Sequence, residues 1–246
     1  MFSVNHIYEK NLLLNSSGEK TSPEELVAQE NRSLDEEFIM SPWPNYPQWK
    51  IWSSGGQGWK VLSNGAEYPV NPKVFETYPQ LKKMKKEDLS THFFTSYHSC
   101  SKEQVLDLIS ICRARDNDGL PDALWQKSNY QVRVKISEWF CFVGPCTLDL
   151  KVTFLNSEKK AVQDVVTYRS PKKELQKHWN YLEMVTQICL SNVRYIKFYH
   201  GGTCNENIED EEMQKQVGTC FAQGNISLSF PFEDKTVQPL FIAKQF

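Results

Sequence analysis

The run "YQVRVKISEWFCFV", starting at Tyr130, alternates apolar and polar side chains. Tyr130, Val132, Val134 and Ile136 share one face, and Gln131, Arg133, Lys135 and Ser137 share the other. A period of two belongs to a pleated strand with one buried side, and no helix reproduces it. "CTLDLKVTFL" repeats the pattern, with Leu148, Leu150, Val152 and Phe154 set against Asp149, Lys151 and Thr153. "NSEKK" reads as the turn after it and "AVQDVVTYR" as the returning strand. "HWNYLEMVTQI", "VRYIKFYH" and "NISLSFPF" supply three more. About six strands therefore fill roughly the last 120 residues at sandwich spacing, with no helix between them. Helix-free connections predict antiparallel pairing rather than βαβ units. In "VRYIKFYH" the pattern turns Ile196 and Phe198 inward, and Gly201-Gly202 is expected to turn the chain out of the strand.

The first half is less regular. Residues 20–48 are polar, acidic and then proline-rich. Ser22-Pro23-Glu24-Glu25 within them has the composition of a helix start. Trp49 and Ile51, then Trp59 and Val61, flank a glycine-rich stretch and predict a hairpin. Residues 63–90 read as a long loop, with "LKKMKKED" as a solvated face. "THFFTSYHSC" is strand-like. "SKEQVLDLISIC" fits a helix, with Ser101 and Gln104 as a capping box and Val105, Leu108, Ile109 and Cys112 as its apolar stripe. A strand over Val105–Ile111 is the alternative reading.

The 246 residues suffice for one large domain or two small ones with a real core. Thirty-one aromatic residues (7 Trp, 10 Tyr, 14 Phe) favour β structure. A net charge of −2 argues against broad nucleic-acid binding, which needs a basic face. No apolar run is long enough to span a membrane, and the N-terminus lacks the basic start of a signal peptide. The expectation is a cytoplasmic protein whose seven cysteines are reduced thiols. The sequons at Asn15, Asn31 and Asn225 are then chance matches. Phosphate loops, HExxH and GxSxG are absent from the sequence. "SGGQGW" lies between two strand patterns and reads as a β-turn, since phosphate cradling needs a helix behind the loop. His200 and Cys204 have metal-like spacing, but a site needs more ligands than this pair. The residues alone predict a non-enzymatic β-rich binding module with no cofactor and no metal.

Six motifs then occur in order. They are "NLLLNSSGE" from Asn11, "GGQGWKV" from Gly55, "FFTSYHSCSKEQVLDL" from Phe93, "ISEWF" from Ile136, "CTLDLKVTFLNSEKKAV" from Cys146 and "VRYIKFYHGG" from Val193. Together they resemble the F-box-associated (FBA) domain of the sugar-recognising F-box proteins, over nearly the whole chain. That resemblance implies a single domain over residues 1–246. It implies a mainly β, antiparallel, jelly-roll-like sandwich of galactose-binding type with one or two short helices. It also implies the substrate-recognition half of a Skp1–cullin–F-box ubiquitin ligase. Its clients would be glycoproteins or misfolded proteins sent for degradation.

The chain departs from that family pattern in three places. Only ten residues precede the NLL motif and no F-box is seen, so contact with Skp1 and cullin is left open. The polar insert at 20–48 lengthens the first connection. The loop at 203–219 carries Asn205, Asn207 and Glu209-Asp210-Glu211-Glu212, where sugar-binding members carry stacking aromatics. Aromatic faces supply much of protein–sugar affinity. The resemblance places Phe93, Phe94 and Tyr97 in another sugar-contacting segment, and Trp59 beside the glycine-rich turn. With Asn205 and Asn207 these are the expected ligand-binding residues. The alternative is an FBA-fold protein-interaction module that binds neither sugar nor Skp1.

Overall fold

In the computed structural model the residues described are 13, 38–40, 49–53, 59–95, 97–108, 131–162, 166–170, 177–189, 191–204 and 207–229. The eleven strands among them are β1 (Phe38–Met40), β2 (Trp49–Ser53), β3 (Lys60–Leu62), β4 (His92–Phe94), β5 (Cys100–Asp107), β6 (Gln131–Val143), β7 (Cys146–Leu155), β8 (Val166–Arg169), β9 (Asn180–Cys189), β10 (Tyr195–Cys204) and β11 (Gly218–Ser229). Two short helices, α1 (Pro72–Thr77) and α2 (Glu211–Gln214), accompany them. One sheet has the order β1-β2-β5-β10-β7-β8 and the other β3-β4-β11-β6-β9. Every ladder is antiparallel. From β4 onward the chain crosses repeatedly between sheets, which makes the sandwich jelly-roll-like. The six strands expected from residue 130 onward are all present as β6 to β11.

The main core lies between the sheets. Val132, Val134 and Ile136 of β6 face Leu148, Leu150, Val152 and Phe154 of β7, with Ile196 and Phe198 of β10 beside them. All nine are fully buried, so the period-two pattern placed the correct faces inward. Leu13, from the first family-like motif, packs into the same core. Tyr130 lies outside the described residues.

A second core covers the outer face of the smaller sheet. Phe94, Trp139, Cys141, Tyr181 and Cys220 point outward and are buried beneath Val74, Tyr78 and Leu89. This is why β6 is apolar on both sides from Trp139 to Phe142. The covering segment was expected to be a long loop. It instead contains α1 and three 3₁₀ turns, at Gly65–Glu67, Pro79–Lys83 and Lys86–Leu89. Asn71 caps α1 by accepting from the Lys73 amide at 3.1 Å, and Pro72 takes the first helical position. Trp179 pins the segment by donating to the Gly65 carbonyl at 2.8 Å. Lys82, Lys83, Lys85 and Lys86 are exposed, so the basic run is a solvated face.

Three other local expectations are corrected. "SKEQVLD" is strand β5, not a helix, and Ser101 and Gln104 form no capping box. The alternation was hidden because its inward positions hold Lys102 and Gln104 between Cys100 and Leu106. Ile109 and Cys112 lie outside the described residues. Strands β2 and β3 both exist, but they belong to different sheets and form no hairpin. Gly201 and Gly202 do not leave the strand. They sit inside β10, paired with Ser101 and Cys100 on one side and Asp149 and Leu148 on the other. Their reason is close approach. A Cβ on Gly202 would lie 2.8 Å from the Thr219 hydroxyl and 3.1 Å from Thr95 Cγ2 of the facing sheet. The Ser22–Glu25 helix start lies outside the described residues.

Gly202→Ala is therefore expected to push the sheets apart and cost about 1–3 kcal/mol, the usual range for overpacking. Urea unfolding should show a lower midpoint at unchanged slope. An unchanged midpoint would show that the sheets yield freely there.

Candidate functional site

Three connections meet at one end of the sandwich, through their described residues 95 and 97–99 between β4 and β5, 144–145 between β6 and β7, and 207–217 between β10 and β11. Gly144 makes the second turn at φ +109°, with Val217 packed where a side chain would stand, 2.5 Å from an added Cβ. Tyr97 ties the other two together. Its carbonyl accepts from the Cys204 amide at 3.4 Å, and its hydroxyl accepts from the Ile208 amide at 3.1 Å. Ile208 packs against the main core, and Gln214 donates to its carbonyl at 2.5 Å. Asp210 caps α2, accepting from the amides of Glu212 (2.9 Å) and Met213 (3.4 Å). The described part of the acidic stretch is thus a folded segment with its own bonds. Its acids Glu209 to Glu212 face solvent and give this end a negative rim.

Threonines close the end beneath that segment. The Thr219 hydroxyl donates across the sandwich to the Thr147 carbonyl at 3.1 Å. Thr147 donates to the Thr203 carbonyl at 3.3 Å, and the Thr219 amide donates to the Thr95 hydroxyl at 2.8 Å.

The expected ligand-binding residues separate into two groups. Trp59 and Phe93 meet edge to face, 6.1 Å apart, inside the main core. Phe94 points to the other side of the sheet, into the second core. These rings are 2 %, 0 % and 5 % exposed, which leaves no face for an incoming sugar. Their role here is packing, with Trp59 also donating to the Ser101 carbonyl at 3.1 Å. Tyr97 and Asn207 do lie on the loop end, half-buried and exposed respectively. Asn205 lies outside the described residues.

The sequence reading missed a polar group inside the main core. His200 and Glu138, both fully buried, share a 2.6 Å hydrogen bond between Nδ1 and Oε1 that joins the two sheets. Trp59 stacks on the His200 ring at 5.6 Å, and Phe221 lies 4.6 Å from it. Lys102, also fully buried, sits over the rings of Phe93 and Trp59. His200, paired with Cys204 by spacing in the sequence, sits mid-strand in β10. The signal for Lys102 and Glu138 was their parity: each occupies an inward position of its strand. Among the described residues, no group of three or more His, Cys, Asp or Glu is arranged to hold a metal ion.

Burial pushes the Glu138 carboxyl well above its ordinary 4.5, against the pull of Lys102. Burial, aided by Lys102, pushes His200 well below its ordinary 6.5. Burial also lowers His92, opposed by the Ser90 carbonyl. Glu138 therefore contributes stability that is complete below pH 4.5 and is lost as pH rises toward its folded value. The two histidines contribute stability that is complete above pH 6.5 and is lost as pH falls. Raising the pH above 4.5 therefore works against the Glu138 contribution, and lowering it below 6.5 works against those of the two histidines. His92→Gln is expected to reduce the loss of stability on the acid side of 6.5. Urea unfolding on both sides of pH 6.5 tests it; an acid-side loss unchanged in His92→Gln would refute the assignment.

The family model described as "F-box associated region" matches residues 4–223. The human "F-box only protein 6" is 25 % identical over 185 residues, which span 70 % of this chain and 53 % of that protein. The chain thus covers about half the length of this curated relative. Among solved structures, the enzymatically active domain of bacteriophage CBA120 tailspike protein 4 aligns with 89 % of this chain and 21 % of its own, at 15 % identity and TM-score 0.44. A structure titled "CBM4 structure and function" aligns with 82 % of this chain and 99 % of its own, at 12 % identity and TM-score 0.37. With a family match over nearly its whole length, on motifs that the fold places in both sheets, this chain belongs to the F-box-associated (FBA) domain family.

Proposed function

We propose that this chain is a non-enzymatic recognition module that binds glycoproteins or misfolded proteins in the cytoplasm for ubiquitin-dependent degradation. The observation that carries this reading is the family match over residues 4–223. The loop end supports it. Tyr97, Asn207 and the capped acidic segment form a surface backed by the hydrogen-bonded threonine closure, and sites on well-ordered supports bind with least ordering cost. A client would meet the Tyr97 ring and the Asn207 amide there, with the acidic rim around them. Recruitment of Skp1 and cullin belongs to the same reading, either directly or through another subunit.

A second reading is favoured by the burial of Trp59, Phe93 and Phe94 and by the acids of the 207–217 segment. In it the loop end binds a protein surface and no sugar.

The purified chain applied to immobilised denatured glycoprotein separates the two. Retention that disappears once glycosidase has removed the N-glycans supports sugar recognition. Equal retention on treated and untreated resin supports the protein-only reading. No retention on either, with no Skp1 co-purifying from extract, would sink the adaptor proposal.

The role of Tyr97 in holding this surface has its own test. Tyr97→Phe removes the acceptor for the Ile208 amide and should cost about 1 kcal/mol locally, roughly fivefold in the opening equilibrium. Hydrogen exchange at Ile208 should accelerate by that factor while β6 and β7 amides stay protected.

A further inference from the structure

We propose that Cys146 and Cys204 form a reversible disulfide by exchange with a low-molecular-weight disulfide. The two cysteines stand directly opposite each other, Cys146 at the start of β7 and Cys204 at the end of β10. The Cys204 amide donates to the Tyr97 carbonyl, on the β5 side, and the Cys146 amide donates back to the Gly144 carbonyl at 2.9 Å. Neither amide is directed across the pair, so this is a non-hydrogen-bonded pair. Such pairs bring the Cα atoms to about 4.5 Å and the side chains closest together. That separation falls inside the window of about 4.4–6.8 Å that a disulfide requires. Cys204 also lies within hydrogen-bonding reach of the Cys146 sulfur.

Access divides the labour between them. Cys204 is partly exposed at the end of β10, whereas Cys146 is fully buried. Burial pushes the Cys146 thiol up, with Cys204 adding to the effect, so Cys146 stays protonated at neutral pH. Cys204 is then the first nucleophile. Its thiolate attacks one sulfur of the small disulfide, the S–S bond breaks, and one small thiolate leaves. Cys146 gives its proton to water and attacks the Cys204 sulfur, expelling the second small thiolate. Two protein thiols are oxidised to one disulfide, and one small disulfide is reduced to two thiols. A partly exposed bridge of this kind belongs to the readily reduced class.

The other cross-strand pair, Cys141 with Cys220, does not meet these conditions. The neighbouring Thr219 turns its amide to the Thr95 hydroxyl and its carbonyl to the Thr95 amide, so the wider, hydrogen-bonded position on the β6 side falls at Cys220. Both of its sulfurs are also sealed beneath the second core.

The bridge would clip β10 to β7 at the base of the Tyr97-tied segment, and it is read on the protein alone, independently of client binding. The test equilibrates the full wild-type chain with oxidised glutathione, alkylates the remaining thiols and maps the peptides by mass. The expected product joins the Cys146 and Cys204 peptides, lighter by two hydrogens, and dithiothreitol releases it. Cys141→Ser should retain the link, and Cys204→Ser, at a partly exposed position, should abolish it. Three wild-type results would overturn the proposal: both cysteines fully alkylated, Cys204 halted as a glutathione adduct, or Cys146 joined to another cysteine.

Discussion

A 2.6 Å hydrogen bond between His200 and Glu138 crosses the middle of the sandwich, and much of the interior is arranged around it. A buried polar pair of this kind is costly unless its bonds are satisfied and its surroundings are fixed. Trp59, Phe198 and Phe221 pack around the imidazole. The irregularity in β11 between Ala222 and Asn225 brings Gly224 close to Glu138, where an added Cβ would lie 3.3 Å from Oε1. Gln223 adopts φ +48° there and donates to the Asp88 carbonyl at 2.6 Å, joining this irregularity to the covering segment. The pair thus couples the two sheets and, through the bulge, the layer outside them.

That coupling reaches the loop end through the strands themselves. The strands that carry His200 and Glu138 continue to Cys204 and Val143, where the threonine closure and the Gly144 turn begin. A recognition surface built on such strand ends inherits their order. The acidic 207–217 segment gains what fixed geometry it has from three sources: the Tyr97 hydroxyl, the Ile208 side chain in the core, and the α2 cap. The opposed Cys146 and Cys204 lie at the junction between these strands and that segment.

How legible each element was followed from its surroundings. β6, β7 and β10 were readable because one face of each strand meets only apolar neighbours, so hydrophobicity alternates cleanly. β5 was misread because its inward face carries Lys102 and Gln104, and a helical stripe could be drawn through what remained. The glycine pair in β10 was misread because glycine is common in turns, and its close approach to Thr219 of the facing sheet leaves no local trace. Trp59 and Phe93 were legible as large aromatics, but core and contact rings look alike along a chain. Tyr97 and Asn207, expected from the sequence as ligand-binding residues, both fall on the loop end, a placement that depends on how the strands pair.

The sequence by itself determined the strand periodicity, the inward faces of the C-terminal strands and membership of the FBA family. Each depends on residue type at short spacing, which a chain carries wherever it folds. Only the tertiary structure decided that β2 and β3 lie in different sheets, that 63–90 forms a second covering layer, and that Glu138 meets His200. It also decided that Cys146 faces Cys204 across a non-hydrogen-bonded pair. These depend on strand pairing between residues dozens of positions apart, and a shift of one residue would turn every one of those side chains to the opposite face.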